Sequence, residues 1–497
     1  MDHVAQAPVA VVEVDDRQLL KLLHWYDGFV VCLANPGFLI ASLGASIGSL
    51  GAWGAFALWT LSMVIAVVQN KVYTEPALMF PDRAGGIPIY AHEGWRRYFN
   101  FVGPMAAVGY WAGWTVVLAI NGLTIGSLVQ AQWFPKSTWT GNVLGVSLTF
   151  PKVLAIVLIV VVWAINASGV RPAVWVGYLT GALLLIPLAL LMFFPYITGN
   201  FHSANLTWLI GGAGSTRDSW RLALVWLYLM AWSAYGVEAA ATFAPEYRDS
   251  ERDLTLALRR SAMFSLVVYA LLPLGAGGVL PADQIAKNPL TFYVTELDKM
   301  IGAGANVVLP LIIAALVLAM NTATMDGSRA LYGISKSGMT LRFLGHLNRY
   351  HVPARAMTVD MVVNVVLVLA LNSVIAILAA SNLGYVLCHV FALSAILLLR
   401  RDRPDWPRPL ALARPWLYAA GVLALANLVF IVIGAPAFNL TGYGGYGELL
   451  VGVATLVAAV LLYIYRRVVE DRLPLQLQDR TPATPAQADR SATEVAT

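Results

Sequence analysis

Hydrophobic positions in this chain come in long unbroken runs, not in the short alternating or one-sided patterns of a soluble domain. Runs of about 20 apolar residues, enough for a helix to cross a bilayer, recur at 28–49, 51–72, 98–130, 150–168, 171–195, 219–245, 256–280, 303–333, 356–372, 374–399, 412–434 and 446–467. The first two nearly touch, meeting near Gly48–Gly51. Helices satisfy their own backbone hydrogen bonds, the condition for lying in lipid. The pattern therefore predicts an all-α integral membrane protein with twelve transmembrane helices. Residues 1–26 are polar and acidic, with no apolar stretch behind a basic start, so no cleavable signal peptide is expected. Residues 473–497 are rich in Pro, Thr, Gln and Ala and are expected to be a disordered tail.

Composition agrees. Hydrophobic residues make up 59% of the 497 and charged residues only 12%, against about 45–50% and 25% in soluble domains; mean hydropathy is +0.70. A soluble enzyme, a disordered chain and a coiled coil are excluded. The net charge of +5 belongs to the loops, so no nucleic-acid partner is expected. With both termini in the cytoplasm, about 26 of the 32 Lys and Arg fall on cytoplasmic segments, as the positive-inside rule requires. Only Lys136, Lys152, Arg217, Arg221, Lys287 and Lys299 lie outside. The expected location is a cell (inner) membrane, with lipid around the bundle. Two cysteines, Cys32 and Cys388, offer neither a disulfide framework nor a zinc ligand set, and no cofactor or metal is expected.

Two spans carry interruptions. The first reads Ala34-Asn35-Pro36-Gly37 near its middle and the sixth Ser233-Ala234-Tyr235-Gly236 at similar depth. A single Pro–Gly kink is common in membrane helices. A pair of them five helices apart points to two inverted five-helix repeats around a midplane binding site, because broken helix ends present free N–H and C=O groups to a solute.

Four stretches then carry a family resemblance. Tyr73-Thr74-Glu75, Phe80-Pro81-Asp82-Arg83-Ala84-Gly85-Gly86 and Tyr90 close the second span. Trp232-Ser233-Ala234-Tyr235-Gly236-Val237-Glu238, Pro245-Glu246 and Glu251-Arg252-Asp253 mark the sixth. Asn321, Ser328-Arg329-Ala330-Leu331-Tyr332, Gly338 and Arg342-Phe343-Leu344 mark the eighth, and Gly169-Val170 opens the fifth. Over about residues 20–400 the chain resembles the amino acid–polyamine–organocation transporters, which have the leucine-transporter fold. The resemblance implies a ten-helix inverted-repeat core (27–399), two further helices (400–472) and alternating access, with spans 1, 2, 6 and 7 rocking against spans 3, 4, 8 and 9. It also shows two departures. The glycine-rich first-span break of the family is replaced by Asn35-Pro36, which removes one amide donor that the Asn35 side chain could restore. The lysine that some members carry in span 5 is absent from Thr180–Leu185.

The candidate substrate-binding residues are Ala34, Asn35, Gly37 and Phe38 of span 1 with Trp232, Ser233, Ala234, Tyr235 and Gly236 of span 6. Amides around Asn35–Phe38 would take a carboxylate. Carbonyls at Ala34 and Ser233–Tyr235 would take an ammonium. Trp232 and Tyr235, three apart, are expected near one face, where the resemblance implies an aromatic gate; a flat ring can cover an ammonium. The plainer reading of both is packing. Acids inside spans usually face a cavity or a partner, so Glu238 and Asp326 are candidates for coupling. The plainer readings are a backbone hydrogen bond for Glu238 and a local Asp326–Arg329 pair. Glu75 is a third coupling candidate, or the partner of a loop arginine. Asp360 reads as interfacial. The string Gly44-Ala45-Ser46-Ile47-Gly48 matches a nucleophile elbow but lies in a helix, where small residues serve close packing. His389 alone cannot make a zinc site.

The expected function is secondary active transport of an amino acid or related small amine, by proton symport or exchange. A polyamine or other organic cation is the alternative substrate. A channel or a membrane enzyme is less well supported, since no His, Ser or Cys constellation converges.

Overall fold

The computed structural model describes residues 19–137, 139–143, 146–212, 214–370 and 374–480. Ten helices among them are long and apolar enough to cross a membrane.

The chain opens with α1 (Trp25–Cys32) and α2 (Asn35–Met79). Although helical at both ends, α2 is two arms. Gly51 has φ 74° and ψ 166°, and the Trp59 indole donates to Ser46 Oγ at 2.9 Å. Thirteen residues along a straight helix would separate those groups by about 20 Å, so the chain folds back at Gly51. Only glycine suits the turn: a Cβ there would lie 2.3 Å from the Thr207 carbonyl oxygen and would strain a positive φ.

Next come α3 (Ile87–Trp95), α4 (Val102–Thr115) and α5 (Val117–Trp133), the last two divided at Val116. Asn364 repairs that division by accepting from Ala119 N (2.9 Å) and donating to Thr115 Oγ1 (2.9 Å). A short antiparallel hairpin follows, β1 (Thr140–Val143) with β2 (Val146–Thr149). It is a small addition to the all-α pattern, and four-residue strands leave too little alternation to be seen in sequence.

Then come α6 (Phe150–Ala167), α7 (Val170–Ile197) and α8 (Thr216–Ala234), which passes into a 3-10 stretch, Tyr235–Glu246. Beyond it lie α9 (Ser250–Val279), α10 (Ala282–Lys287), α11 (Phe292–Ile301), α12 (Ala305–Lys336), α13 (Ala354–Ala370), α14 (Val374–Asp402), α15 (Arg414–Val429) and α16 (Tyr446–Tyr465). Apolar side chains of α7, α15 and α16, such as Trp175, Val422 and Leu450, stay exposed on the outside. The polar residues Asn35, Ser233, Glu238, Asp326, Arg329 and His389 are buried inside. That inversion of the soluble pattern is expected of a bundle whose surroundings are lipid.

Charged residues gather where α2, α3 and α14 end. Glu93 accepts from Arg83 and from Arg403 (2.6 Å) and lies 3.5 Å from Arg96. Burial alone would raise the Glu93 carboxyl, but Arg83, His92, Arg96 and Arg403 outweigh it and lower it to about 2. A carboxylate depressed from its ordinary value of about 4.5 stabilises the fold fully above that value, and the contribution is lost as pH falls toward 2. Glu93→Gln is expected to destabilise the protein at neutral pH, by on the order of 3 kcal/mol, and to flatten the loss of stability as pH falls from about 4.5 toward 2. Melting curves across that range check it.

The C-terminal segment reaches the same corner. Asn100 N donates to Leu477 O and Asp479 N to Arg96 O, both at 2.8 Å, and Arg96 pairs with Asp479 at 2.8 Å. Residues 473–480 of the expected disordered tail are thus held in place by backbone pairing that composition does not reveal. Residues 481–497, like 1–18 of the N-terminal segment, lie outside the described residues.

Candidate functional site

Pro36 sits in the first turn of α2, where a missing N–H costs nothing. It starts this helix and does not kink it. The Gly37 and Phe38 amides both donate to Ala34 O, at 2.9 and 3.3 Å. The backbone groups expected to meet a substrate carboxylate and ammonium are thus bonded to one another.

Asn35 crosses to span 6. It is fully buried, and its Nδ2 donates to Ser233 O at 3.2 Å. A carbonyl partner requires nitrogen on that side of the amide, so Oδ1 faces the other way, without a partner. The Asn35 side chain therefore spends its donor on Ser233 and leaves an acceptor free. Gly236 lies against this oxygen: a Cβ there would come within 3.0 Å of Asn35 Oδ1, 3.3 Å of the Phe38 ring and 3.4 Å of Trp114. Tyr269 of α9 completes the junction. Its hydroxyl lies 2.8 Å from Asn35 O, 3.0 Å from Ser233 O and 2.7 Å from Ser233 Oγ. Having one proton, it donates to one carbonyl at a time and accepts from the serine.

The aromatic candidates part company. Trp232 packs on Phe38 (ring centroids 5.3 Å), which meets Trp114 edge-on at 5.5 Å. The Trp232 indole donates to Gly113 O at 2.7 Å, beside the division at Val116. These rings, with Val117 and Tyr385, line a narrow crevice. Tyr235 turns elsewhere, donating to Asn427 Oδ1 at 3.0 Å and meeting the His389 ring at 4.9 Å. Residues three apart differ by about 60° around an ideal helix, and the α-helix ends between these two. Ala234, fully buried, is the last residue of α8. His389 contacts Tyr73 Oη through Nδ1 at 2.8 Å.

Glu238 is gripped by two tyrosines, accepting from Tyr385 at 2.8 Å and Tyr110 at 3.3 Å. Asp326 accepts from Thr242 through Oδ1, and its Oδ2 has no partner among the described residues. The local Asp326–Arg329 hydrogen bond is absent. Arg329 turns instead to Glu246, forming a two-pronged pair that includes Nη2 to Oε2 at 3.0 Å.

Asp360 is buried within the bundle. It is 1% exposed, accepts from the Trp111 indole, and sets Oδ2 against Gly327 next to Asp326. Glu75 lies apart from these acids. It takes two bonds of 2.5 Å from Arg400 and one of 2.9 Å from Leu412 N, with Arg408 at 3.3 Å.

Tyr110, Trp114, Tyr269 and Tyr385 are the site residues that sequence reasoning misses. The spacing of Tyr110 and Trp114, four apart beside Gly109 and Gly113, is a faint signal of one face. Tyr269 and Tyr385 carry none.

Comparison with known proteins gives this geometry a context. Residues 29–460 match the family model described as amino acid permease. The amino-acid permease RocE of Bacillus subtilis is 24% identical over 363 residues, covering 70% of this chain and 72% of that protein. An uncharacterized transporter of Mycobacterium tuberculosis is 26% identical over 472 residues, 92% of this chain and 93% of its own. The D-serine/D-alanine/glycine transporter of Escherichia coli is 23% identical over 381 residues, 72% and 78%. With a family match across most of its length and the apolar helices to go with it, the chain belongs to the amino acid permease family, as a multi-pass membrane transporter of the amino acid–polyamine–organocation superfamily.

Proposed function

We propose that this protein is a secondary active transporter that carries an amino acid across the cytoplasmic membrane by alternating access, driven by proton symport or exchange. The observation that carries the reading is Asn35. It is buried, it joins spans 1 and 6 through Ser233 O, and its one free oxygen lies beside Gly236, where the Phe38 and Trp114 rings also come close. A substrate ammonium would bind that oxygen and the carbonyls of Ala34 and Ser233. Its carboxylate would take the Gly37 and Phe38 amides from Ala34 O. Trp232 would lie over the bound solute. Glu238, clamped by Tyr110 and Tyr385, and Asp326, with an oxygen free, are the acids proposed to couple proton movement. Glu75, wholly engaged by arginines, is proposed as an anchor of the inner ends of spans 2 and 10. A polyamine would need carboxylates in the crevice wall, which has none among the described residues.

The proposed architecture is twelve spans: an inverted-repeat core over 27–399 and two more spans over 400–472. The fold-back at Gly51 and the 17-residue α13 support that count. The arginine-rich ends of spans 2 and 10 support cytoplasmic termini.

The test is uptake by the purified protein in liposomes. Asn35→Ala is expected to cut saturable amino acid uptake at least tenfold while the protein stays folded in detergent. Undiminished uptake in that variant would remove Asn35 from the site and with it the proposed pose.

A further inference from the structure

We propose that Glu296 is a proton-binding residue of the transport cycle: it holds a proton while α11 is packed onto the bundle and releases it when α11 lifts, so that closing the outer side takes up one proton. This rests on the proposed alternating access, and not on the pose at Asn35. α11 lies ahead of the eighth span, at the end of the bundle that the proposed orientation places outside. Phe292, Tyr293, Glu296, Leu297 and Met300 are its buried residues, spaced three and four apart as one inward face. Glu296 is the acid on that otherwise apolar and aromatic face. It is 0% exposed, and neither carboxylate oxygen has a hydrogen-bond partner among the described residues.

No counter-charge among the described residues faces it. α11 packs on α5, α9, α12 and the Gly302–Gly304 turn, and on the first arm of α2, where the Tyr293 hydroxyl donates to Ile40 O at 3.0 Å. α5 and that turn carry no ionisable side chain, nor do residues 35–50 of α2 or 305–325 of α12. From Ser265 to Val279, α9 offers only Tyr269, which is held at the Asn35–Ser233 junction. Asp283 and Lys287 of α10 are exposed, as is Asp298 of α11 itself. Lys299 donates to Val279 O at 2.7 Å. An ionised carboxylate sealed in such surroundings is strongly unfavourable, and the group neutralises instead. Burial pushes the Glu296 carboxyl up from 4.5 to about 8.

The placement links this proton to the cycle. α2 and α9 belong to the spans proposed to rock, and α5 and α12 to the spans they rock against. α11 touches both sets, so their relative movement must disturb its packing and the burial of Glu296. The seat is close: a Cβ on Gly44 would lie 2.1 Å from Pro289 O and 2.8 Å from the Phe292 ring. Ile40 is five residues beyond Asn35, about 7–8 Å along the helix, so α11 reaches to within two turns of the junction. Once water reaches it at neutral pH, a carboxyl returns to its ordinary range and ionises.

The test uses the purified full-length protein and two readouts. The first is the melting temperature from about pH 5 to 9. A carboxyl raised in the folded state contributes stability that is full below about 4.5 and is lost as pH rises through about 8. Wild type is therefore expected to lose several degrees relative to Glu296→Gln across that range, because the neutral amide has no proton to lose. A constant difference between the two would overturn the proton on Glu296.

The second readout is amino acid exchange by liposomes with equal pH on both sides. Wild type is expected to slow by about tenfold between pH 7 and 9. Glu296→Gln is expected to slow by less than about threefold, since its α11 closes without a proton. Equal slowing in both would overturn the place of this proton in the cycle. Glu296→Leu, which also carries no proton, gives the same readouts if the glutamine variant does not fold. A failure of the Asn35 pose shows in Asn35→Ala and leaves both results unchanged.

Discussion

Replacing Glu246 by glutamine is expected to destabilise the protein by about 3–5 kcal/mol, the range for removing one partner of a buried ion pair. Arg329 and Glu246 are both fully buried. The guanidinium bonds to both carboxylate oxygens through Nε and Nη2, donates Nη1 to Met325 O at 2.9 Å, and stacks on Phe243 with its carbon 4.6 Å from the ring centroid. A guanidinium does not shed its proton, so Glu246→Gln leaves a positive charge in the bundle with only neutral acceptors. The melting temperature in detergent should fall by several degrees. The double variant Arg329→Met, Glu246→Leu should recover much of the loss, because an apolar pair carries no desolvation cost. An unchanged melting temperature in Glu246→Gln would mean that water or another group reaches Arg329. The pair also bears on assembly of the site. Glu246 O accepts from Leu22 N and Leu23 N, each at 2.9 Å, so the same residue fastens the segment before α1 to the end of the 3-10 stretch.

The second large effect is expected on transport. Glu238→Gln should abolish proton-driven accumulation, at least tenfold, while leaving exchange of substrate across the membrane measurable. The physical reason is the clamp. Tyr385 and Tyr110 both donate to the Glu238 carboxylate, and a glutamine side chain has nearly the same shape, offering an oxygen to one tyrosine and an amide to the other. The variant therefore keeps the packing but loses a group that can gain and release a proton. Uptake driven by an imposed pH gradient, compared with counterflow at equal pH, separates the two. Undiminished dependence on the gradient would move the coupling role to Asp326.

Arg329 also marks the boundary of what spacing can say. Along the helix its natural partner is Asp326, three residues before it. In the folded chain it pairs with Glu246, 83 residues away. Asp360 is a similar case. Its position near the start of a span suggests an interface, whereas packing of α4 and α12 against it makes it a buried acid. Asn35 was visible as a polar residue beside Pro36 in an apolar run. Which of its two amide groups is spent depends on Ser233 lying opposite. Tyr269 and Tyr385 were invisible, because a tyrosine in an apolar run looks like any other packing residue until its hydroxyl is seen to meet a partner.

The sequence by itself determined the membrane class, the long apolar helices and the family, because each is written in local quantities: run length, hydropathy and short motifs. Glu238 and Asp326 were also legible, since an acid in an apolar run is costly wherever it packs. Only the tertiary structure decided which face of each span meets which neighbour. It separated Tyr235 from Trp232, paired Arg329 with Glu246, and drew Glu75 to Arg400. The reason is that helix periodicity records where a side chain points around its own axis. What it meets there is set by the packing of every other helix, and that information is spread over residues hundreds of positions apart.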